Sequence, residues 1–227
     1  MIGNNQEPGI SSTVTSASTL SAADSSPGTP LFVGGADLSN GSASPNTVYS
    51  VGDISRARTL FGESHLTRVV GDALGAGALP VLAVAPSETE KSESFDSLSS
   101  QTGELSEPAK VAMDDFTVTV DSSDKTTKVS FTDYSSATVE SGNVLYNTAT
   151  DEFKLDNAPS LSASVNYTAL DYQSALDAVA AYDDEEGYDI DFVSVLTEHD
   201  AVLTKLHDAL SQMKSKERLA LGVIGAT

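Results

Sequence analysis

Leu31-Phe32-Val33-Gly34-Gly35, Asp53-Ile54-Ser55-Arg56-Ala57-Arg58-Thr59-Leu60-Phe61-Gly62 and Pro80-Val81-Leu82-Ala83-Val84-Ala85 are the runs whose reading decides the fold. The first is a short apolar stretch closed by glycines, which predicts a buried strand. Asp37 to Asn46 reads as a loop, and Thr47 to Val51 as a second short strand. Asp53 is placed to cap a helix running to Phe61, with Ile54, Ala57, Arg58 and Phe61 on one face and Gly62 as its stop. Ser64 opens a second helix to about Leu74, where Leu66, Val69, Val70, Ala73 and Leu74 recur at helical spacing. Gly75 and Gly77 end it, and Pro80–Ala85 follows as a central strand. Strand, loop, two helices and strand over 31–86 are the first part of an α/β layer.

Outward from this unit the character of the chain changes. Residues 1–30 are rich in Ser, Thr, Gly, Pro and Ala without apolar period, which predicts an extended or disordered N-terminal arm. Residues 87–110 are rich in Ser and Glu and read as a linker or surface loop. Residues 111–168 predict a small β-rich subdomain. Phe116–Val120 and Lys128–Phe131 alternate around a polar hairpin turn at Asp121–Thr126. Asn143–Tyr146 and Glu152–Leu155 form a second pair, and Leu161–Tyr167 alternates once more. Residues 169–227 return to α/β. They predict a helix over Tyr172–Tyr182, a buried strand within Tyr188–Leu196 and an amphipathic helix over Asp200–Met213 with Leu203, Leu206 and Leu210 inward. A last buried strand is expected over Arg218–Gly225. A buried parallel strand needs a cover on both faces, so further elements are expected after Thr227. The expected fold class is α+β or α/β: an α/β domain with an inserted β-rich subdomain and an N-terminal arm.

Thirty-three acidic against 12 basic residues give a formal net charge of −21 over 227 residues. That argues against nucleic-acid backbone as a partner, because phosphate contacts need Lys and Arg to release counterions. It argues equally against an anionic membrane surface. No apolar run approaches the roughly 20 residues that span a bilayer, and the first residues lack the basic and apolar regions of a secretory signal. There are no cysteines, so disulfides and thiol chemistry are excluded. The acidity is spread along the chain, and a small soluble domain ordinarily carries only about −2 to −8. A diffuse acidic shell poor in Lys matches a protein dissolved in molar salt, where screening offsets the repulsion. An ordinary acidic protein is the plainer alternative.

No residue set predicts catalysis. His199 and His207 stand eight apart, about 12 Å of helix rise, too far for one metal ion; with His65 they read as surface or cap residues. Asp183-Asp184-Glu185-Glu186 with Asp189 and Asp191 lacks the ligand spacing of a calcium loop and reads as a solvated acidic turn. Gly34-Gly35 and Gly75-Ala76-Gly77 lack the Lys-Ser/Thr of a phosphate loop, and Gly222 to Thr227 shows neither the full glycine fingerprint nor a following helix. No serine sits in a nucleophile elbow. Arg56, Arg58 and Arg68 gather on one helix pair. They either form local ion pairs with Asp53, Glu63 or Asp72 or make a patch for an acidic face on another copy. Catalytic, cofactor-binding and metal residues are therefore expected to be none, and no cofactor is expected.

The stretch from Pro30 to Pro86 resembles the N-terminal part of the contractile tail sheath proteins of myoviruses. The likeness rests on Leu31-Phe32-Val33-Gly34, Tyr49-Ser50-Val51, Ala57-Arg58-Thr59-Leu60-Phe61-Gly62, Ser64-His65-Leu66, Gly75-Ala76-Gly77-Ala78 and Val81-Leu82-Ala83-Val84. Later segments follow in the same order: Val165-Asn166-Tyr167, Asp171-Tyr172-Gln173-Ser174-Ala175-Leu176, the Tyr188–Leu196 strand, a helix and Arg218–Ile224. The family's C-terminal domain has no counterpart before Thr227, so either the sequence continues beyond that point or it is a shortened relative. The resemblance implies a non-enzymatic virion protein of the viral tail, a homo-oligomer in stacked hexameric rings forming a helical tube around the tail tube protein. Contraction would drive the tube through the host envelope for genome ejection. Baseplate and tail terminator would be further partners, without direct nucleic acid and without membrane insertion. The location implied is the virion tail, assembled in the host cytoplasm, and the composition points to a tailed virus of a halophilic archaeon. The alternatives are another structural protein of a tail or injection apparatus, a halophilic α/β enzyme or small-molecule-binding protein, and a cation-binding surface protein.

Overall fold

The computed structural model describes residues 28–95, 98, 101–110, 116–130, 134, 136–157, 162–182, 189–216, 218 and 220–224. The predicted arm therefore lies outside the described residues up to position 27. Strand β1 (Thr29–Val33) starts within the segment assigned to that arm, because Thr29 N–H donates to Asp191 Oδ2 at 2.6 Å and brings the chain into a sheet.

The first sheet has five strands in the order β12-β11-β1-β3-β2. Its members are β1, β2 (Tyr49–Val51), β3 (Val81–Val84), β11 (Ile190–Val195) and β12 (Leu221–Ile224). All pairs are parallel except β2 with β3. Helices α1 (Ile54–Phe61) and α2 (His65–Gly75) pack against one face. Helices α3 (Tyr172–Ala181) and α4 (Asp200–Ser215) pack against the other. Leu31, Val33, Leu82, Val84, Val193 and Val195 enter the core on the α3 and α4 side. Phe32, Val81 and Ala83 enter the core on the α1 and α2 side. Strands covered on both faces need apolar side chains at every position, which is why these runs do not alternate.

The helix ends follow the predicted capping chemistry. Asp53 accepts from Arg56 N–H at 2.9 Å to open α1, and Ser64 accepts from Thr67 N–H at 3.2 Å to open α2. Asp171 accepts from Ser174 N–H at 3.1 Å to open α3. The C-terminal carbonyls of α3 receive two cations: Lys216 Nζ reaches Ala180 O at 2.9 Å and Arg218 donates to Tyr182 O. Positive charge at that end also complements the helix dipole.

Between β3 and α3 the chain builds a second sheet of seven strands, β4-β10-β6-β7-β8-β9-β5. The strands are β4 (Ser87–Phe95), β5 (Thr102–Glu104), β6 (Thr117–Val120), β7 (Ser123–Ser130), β8 (Asn143–Asn147), β9 (Glu152–Leu155) and β10 (Ala163–Asp171). The sheet wraps one core containing Leu105, Phe116, Val118, Val144, Tyr146, Phe153, Val165 and Tyr167. Its edges approach one another, for Ser106, two residues past β5, donates through its hydroxyl to Glu93 of β4 at 2.6 Å. The architecture is thus mixed α/β, with four helices and two mixed sheets among the described residues.

Five expectations are corrected. The 87–110 stretch is not a linker: β4 pairs with β10 along all nine of its residues, from Ser87↔Asp171 to Phe95↔Ala163. The β-rich unit consequently runs from Ser87 to Asp171, wider than 111–168. The hairpin turn after β6 is shorter than Asp121–Thr126, since Val120 pairs with Ser123 and only Asp121 (φ 47°) and Ser122 (φ 66°) form the loop. Positive φ at both central residues matches the right-handed twist of a tight hairpin. The inward face of α4 is Val202, Leu206, Ala209 and Met213, with Leu210 packed at its margin; Leu206 and Leu210 thus face the core as expected, while Leu203 is 54 % exposed. Finally, among the described residues β12 is a sheet edge rather than a buried strand, and Leu221 is 68 % exposed.

Candidate functional site

The arginines of the first helix pair do not act together. Arg56 Nε donates to Ser50 O at 3.0 Å, and its backbone, not its side chain, binds Asp53. Arg58 pairs with Glu63 at 3.1 Å, with both side chains more than half exposed; such pairs contribute at most about 1 kcal/mol. Arg68 is exposed on α2 and forms no ion pair among the described residues.

The other sequence candidates separate as well. His65 is half-buried at the start of α2, and His207 is exposed on α4. Residues 183–188, with most of the predicted acidic turn, lie outside the described residues. Asp191 is occupied by the N–H of Thr29. Among the described residues, no three His, Asp or Glu side chains gather to hold a metal ion. Gly34 is a packing glycine: a Cβ there would meet Leu196 Cδ1 at 2.7 Å. Gly75 closes α2, and Gly222 lies under Leu210 and Leu206 of α4. The last three residues of the Gly222–Thr227 stretch are outside the described residues.

A cluster that the sequence reading did not single out lies where the two sheets meet. Asp151, in the turn from β8 to β9, is 1 % exposed and has φ 60°. Its Oδ1 accepts from Ala109 N–H at 2.9 Å and from the hydroxyl of Tyr146, while Oδ2 is buried without a partner. Its main chain joins the same segments: Asp151 O accepts from Leu105 N–H at 3.1 Å. Opposite stands His199, the N-cap residue of α4, 4 % exposed. Its Nε2 lies 2.9 Å from Leu105 O, and its Nδ1 accepts from Ala201 N–H at 3.2 Å. A carbonyl only accepts and an amide only donates, so the two bonds place a proton on Nε2 and use Nδ1 as the acceptor. Between these residues Glu198 N–H donates to Ala149 O at 2.8 Å.

Burial dominates the electrostatics. It pushes the Asp151 carboxyl up from 3.8 to about 6, against the opposing bonds from Ala109 and Tyr146 and the influence of His199. Burial, with the Asp151 charge beside it, also raises the Tyr146 hydroxyl well above its usual value. Tyr172, at the first position of α3, is raised for the same two reasons. The tyrosine hydroxyls therefore keep their protons, and Asp151 is the group of the three whose proton is exchangeable near neutral pH.

A second polar hub braces the β-rich sheet. Glu93 Oε1 accepts from the Tyr167 hydroxyl and the Ser106 hydroxyl, and lies 3.5 Å from Lys91 Nζ. Burial pushes Glu93 up, but the bonds from Ser106 and Tyr167 outweigh it and leave its carboxyl below the usual value. Nearby, an open groove of about 580 Å³ is lined by Thr89, Lys91, Glu107, Ala169, Asp171, Gln173 and Lys205. Its polar groups largely satisfy one another: Lys91 pairs with Glu107 at 3.3 Å, and Asp171 caps α3.

No family model matches the chain, and no curated protein matches it.

Proposed function

We propose that this protein is a structural, non-enzymatic subunit of a contractile virus tail sheath. Copies stack as hexameric rings into a helical tube around a tail tube protein, with a baseplate and tail terminator at the ends. Contraction drives the tube through the host envelope. The protein resides in the virion tail after assembly in the host cytoplasm, and the host is a halophilic archaeon. It uses no cofactor and touches neither nucleic acid nor membrane.

The observation that carries this reading is the ordered series of short motifs from Leu31 to Val84, continued by Asp171–Leu176 and Arg218–Ile224. It is supported by what the central motif does. Phe61 of Ala57-Arg58-Thr59-Leu60-Phe61-Gly62 is fully buried and its carbonyl accepts from Asp37 N–H at 2.9 Å. The motif is architectural, as a mechanical subunit requires. A different non-enzymatic protein of a tail or injection apparatus is the alternative.

Electron microscopy of the complete gene product, concentrated in molar salt with and without a tube template, tests the proposal. Regular hollow cylinders are expected. Monodisperse particles under both conditions would overturn it. Residues 1–30 are assigned to adding a strand to a neighbouring subunit, so deleting residues 1–25 is expected to leave the monomer folded and to block assembly; tubes of normal length from that variant would overturn that role.

A further inference from the structure

The junction of the two sheets contains a carboxyl group that folding leaves half satisfied. Asp151 Oδ1 has two donors, whereas Oδ2 is buried with none. No lysine or arginine ion-pairs with Asp151 among the described residues. The titratable groups around it are Tyr146 on β8, Glu104 on β5, His199 heading α4 and Tyr172 heading α3. Glu104 adds repulsion to an ionised Asp151. His199 favours the ionised form, but its Nδ1 is taken by Ala201 N–H and its Nε2 by Leu105 O, so neither ring nitrogen bonds Oδ2. An ionised Asp151 therefore keeps a buried Oδ2 without a hydrogen-bond donor inside the closed junction, and exposing Oδ2 to water requires the 147–151 turn to part from its neighbours.

We propose that Asp151 is a proton-operated latch between the β-rich sheet and the α/β layer. With its carboxyl protonated, the β8–β9 turn stays docked on the segment from Leu105 to Ala109 and on the start of α4. Loss of the proton loosens that docking. The docked carboxyl titrates near 6 against an ordinary value of 3.8, so the latch is tightest below about pH 4. It weakens as pH rises towards 6 and is constant above that. The difference of about two pKa units corresponds to a roughly hundredfold change in the opening equilibrium.

Hydrogen exchange at the Leu105, Ala109 and Glu198 amides of the full chain, in molar KCl from pH 4 to 7.5, tests this. These amides donate to Asp151 O, Asp151 Oδ1 and Ala149 O, so they report the docking directly. After correction for intrinsic exchange, the opening constant is expected to rise roughly hundredfold with pH in the wild type. It is expected to stay flat in Asp151→Asn, whose amide mimics the protonated acid. A flat wild-type profile, or the same rise in Asp151→Asn, would overturn the proposal. If Asp151→Asn does not fold, the wild type decides alone through the carboxyl carbon signal of Asp151. Titration near 6 in step with amide opening supports the latch; a midpoint near the ordinary aspartate value, or amides that do not follow it, overturns it.

Discussion

A Cβ placed on Gly62 would stand 2.8 Å from the carbonyl oxygen of Asp37. Gly62 ends α1 at φ 63°, ψ −160°, a backbone region essentially confined to glycine. Its N–H closes the helix on Arg58 O at 2.9 Å, while Asp37 N–H binds Phe61 O. The helix end and the loop after β1 are thereby locked together. Gly62→Ala is expected to cost about 1–3 kcal/mol of stability from backbone strain alone, read from denaturant midpoints at constant salt. A loss below about 0.5 kcal/mol, the size of an ordinary surface substitution, would show that the turn does not need glycine.

Tyr167→Phe removes one donor from Glu93 but leaves the hydroxyl and N–H of Ser106 in place. The expected loss is about 1.5 kcal/mol, the low end for a hydrogen bond to a charged group. The pH dependence has a definite direction. The Glu93 carboxyl lies below its usual 4.5 in the folded chain, so its contribution is complete above pH 4.5 and is lost as pH falls through the lower folded value. Glu93→Gln is therefore expected to be less stable at pH 6 and to lose less on acidification than the wild type. Parallel acid-unfolding curves for the two proteins would refute it. This dependence has the opposite sign to that of Asp151, and the two are separable by residue-level exchange.

The α/β layer was legible because strands buried on both faces leave continuous apolar runs, as in Leu31–Val33 and Val81–Val84, and because Asp53, Ser64 and Gly62 mark helix ends. Strand β4 was not. Its sequence from Ser87 to Phe95 carries three Glu and a Lys, with one large apolar residue at its end. What holds it is backbone pairing with β10 and side-chain bonds such as Thr168 to Glu90 at 2.9 Å, neither of which has an apolar period. The Asp151 cluster was hidden for a related reason. Thr148-Ala149-Thr150-Asp151 between two strands reads as a solvated turn, and only long-range packing turns the carboxyl inward. In α4 only Leu203 misled, since Leu206 is buried and Leu210 packs against the core. The helix lies against Ala175, Val179 and Ala180 of α3 in the same core, which takes in Val202, Leu206, Ala209 and Met213 with Leu210 packed at its margin.

That register gives a paired test. Leu206 is 3 % exposed and Leu203 is 54 % exposed on the same helix. Leu206→Ala is expected to cost about 2–5 kcal/mol, the range for truncating a buried leucine. Leu203→Ser is expected to stay within about 0.5 kcal/mol of wild type. Thermal or denaturant unfolding of the two variants measures both values, and equal losses would contradict the observed face.

The charge balance sets the last expectation. Of 12 cationic side chains, Arg56, Lys154, Lys216 and Arg218 bind backbone carbonyls. Arg58, Lys91, Lys110, Lys125 and Lys128 are engaged with nearby carboxylates. Few cations remain to offset the excess of Asp and Glu. At 1 M salt the screening length is about 3 Å, so carboxylates on different elements scarcely repel; at 0.01 M it is about 30 Å and the repulsion acts across the molecule. Dialysis from molar KCl to low salt is therefore expected to lower the melting temperature steeply and to abolish the folded circular dichroism signal. Sucrose supplies the control, because it favours compact states without screening charge. Recovery by KCl but not by sucrose would identify charge repulsion as the cause, whereas an unchanged spectrum at low salt would rule out the molar-salt adaptation inferred from the composition.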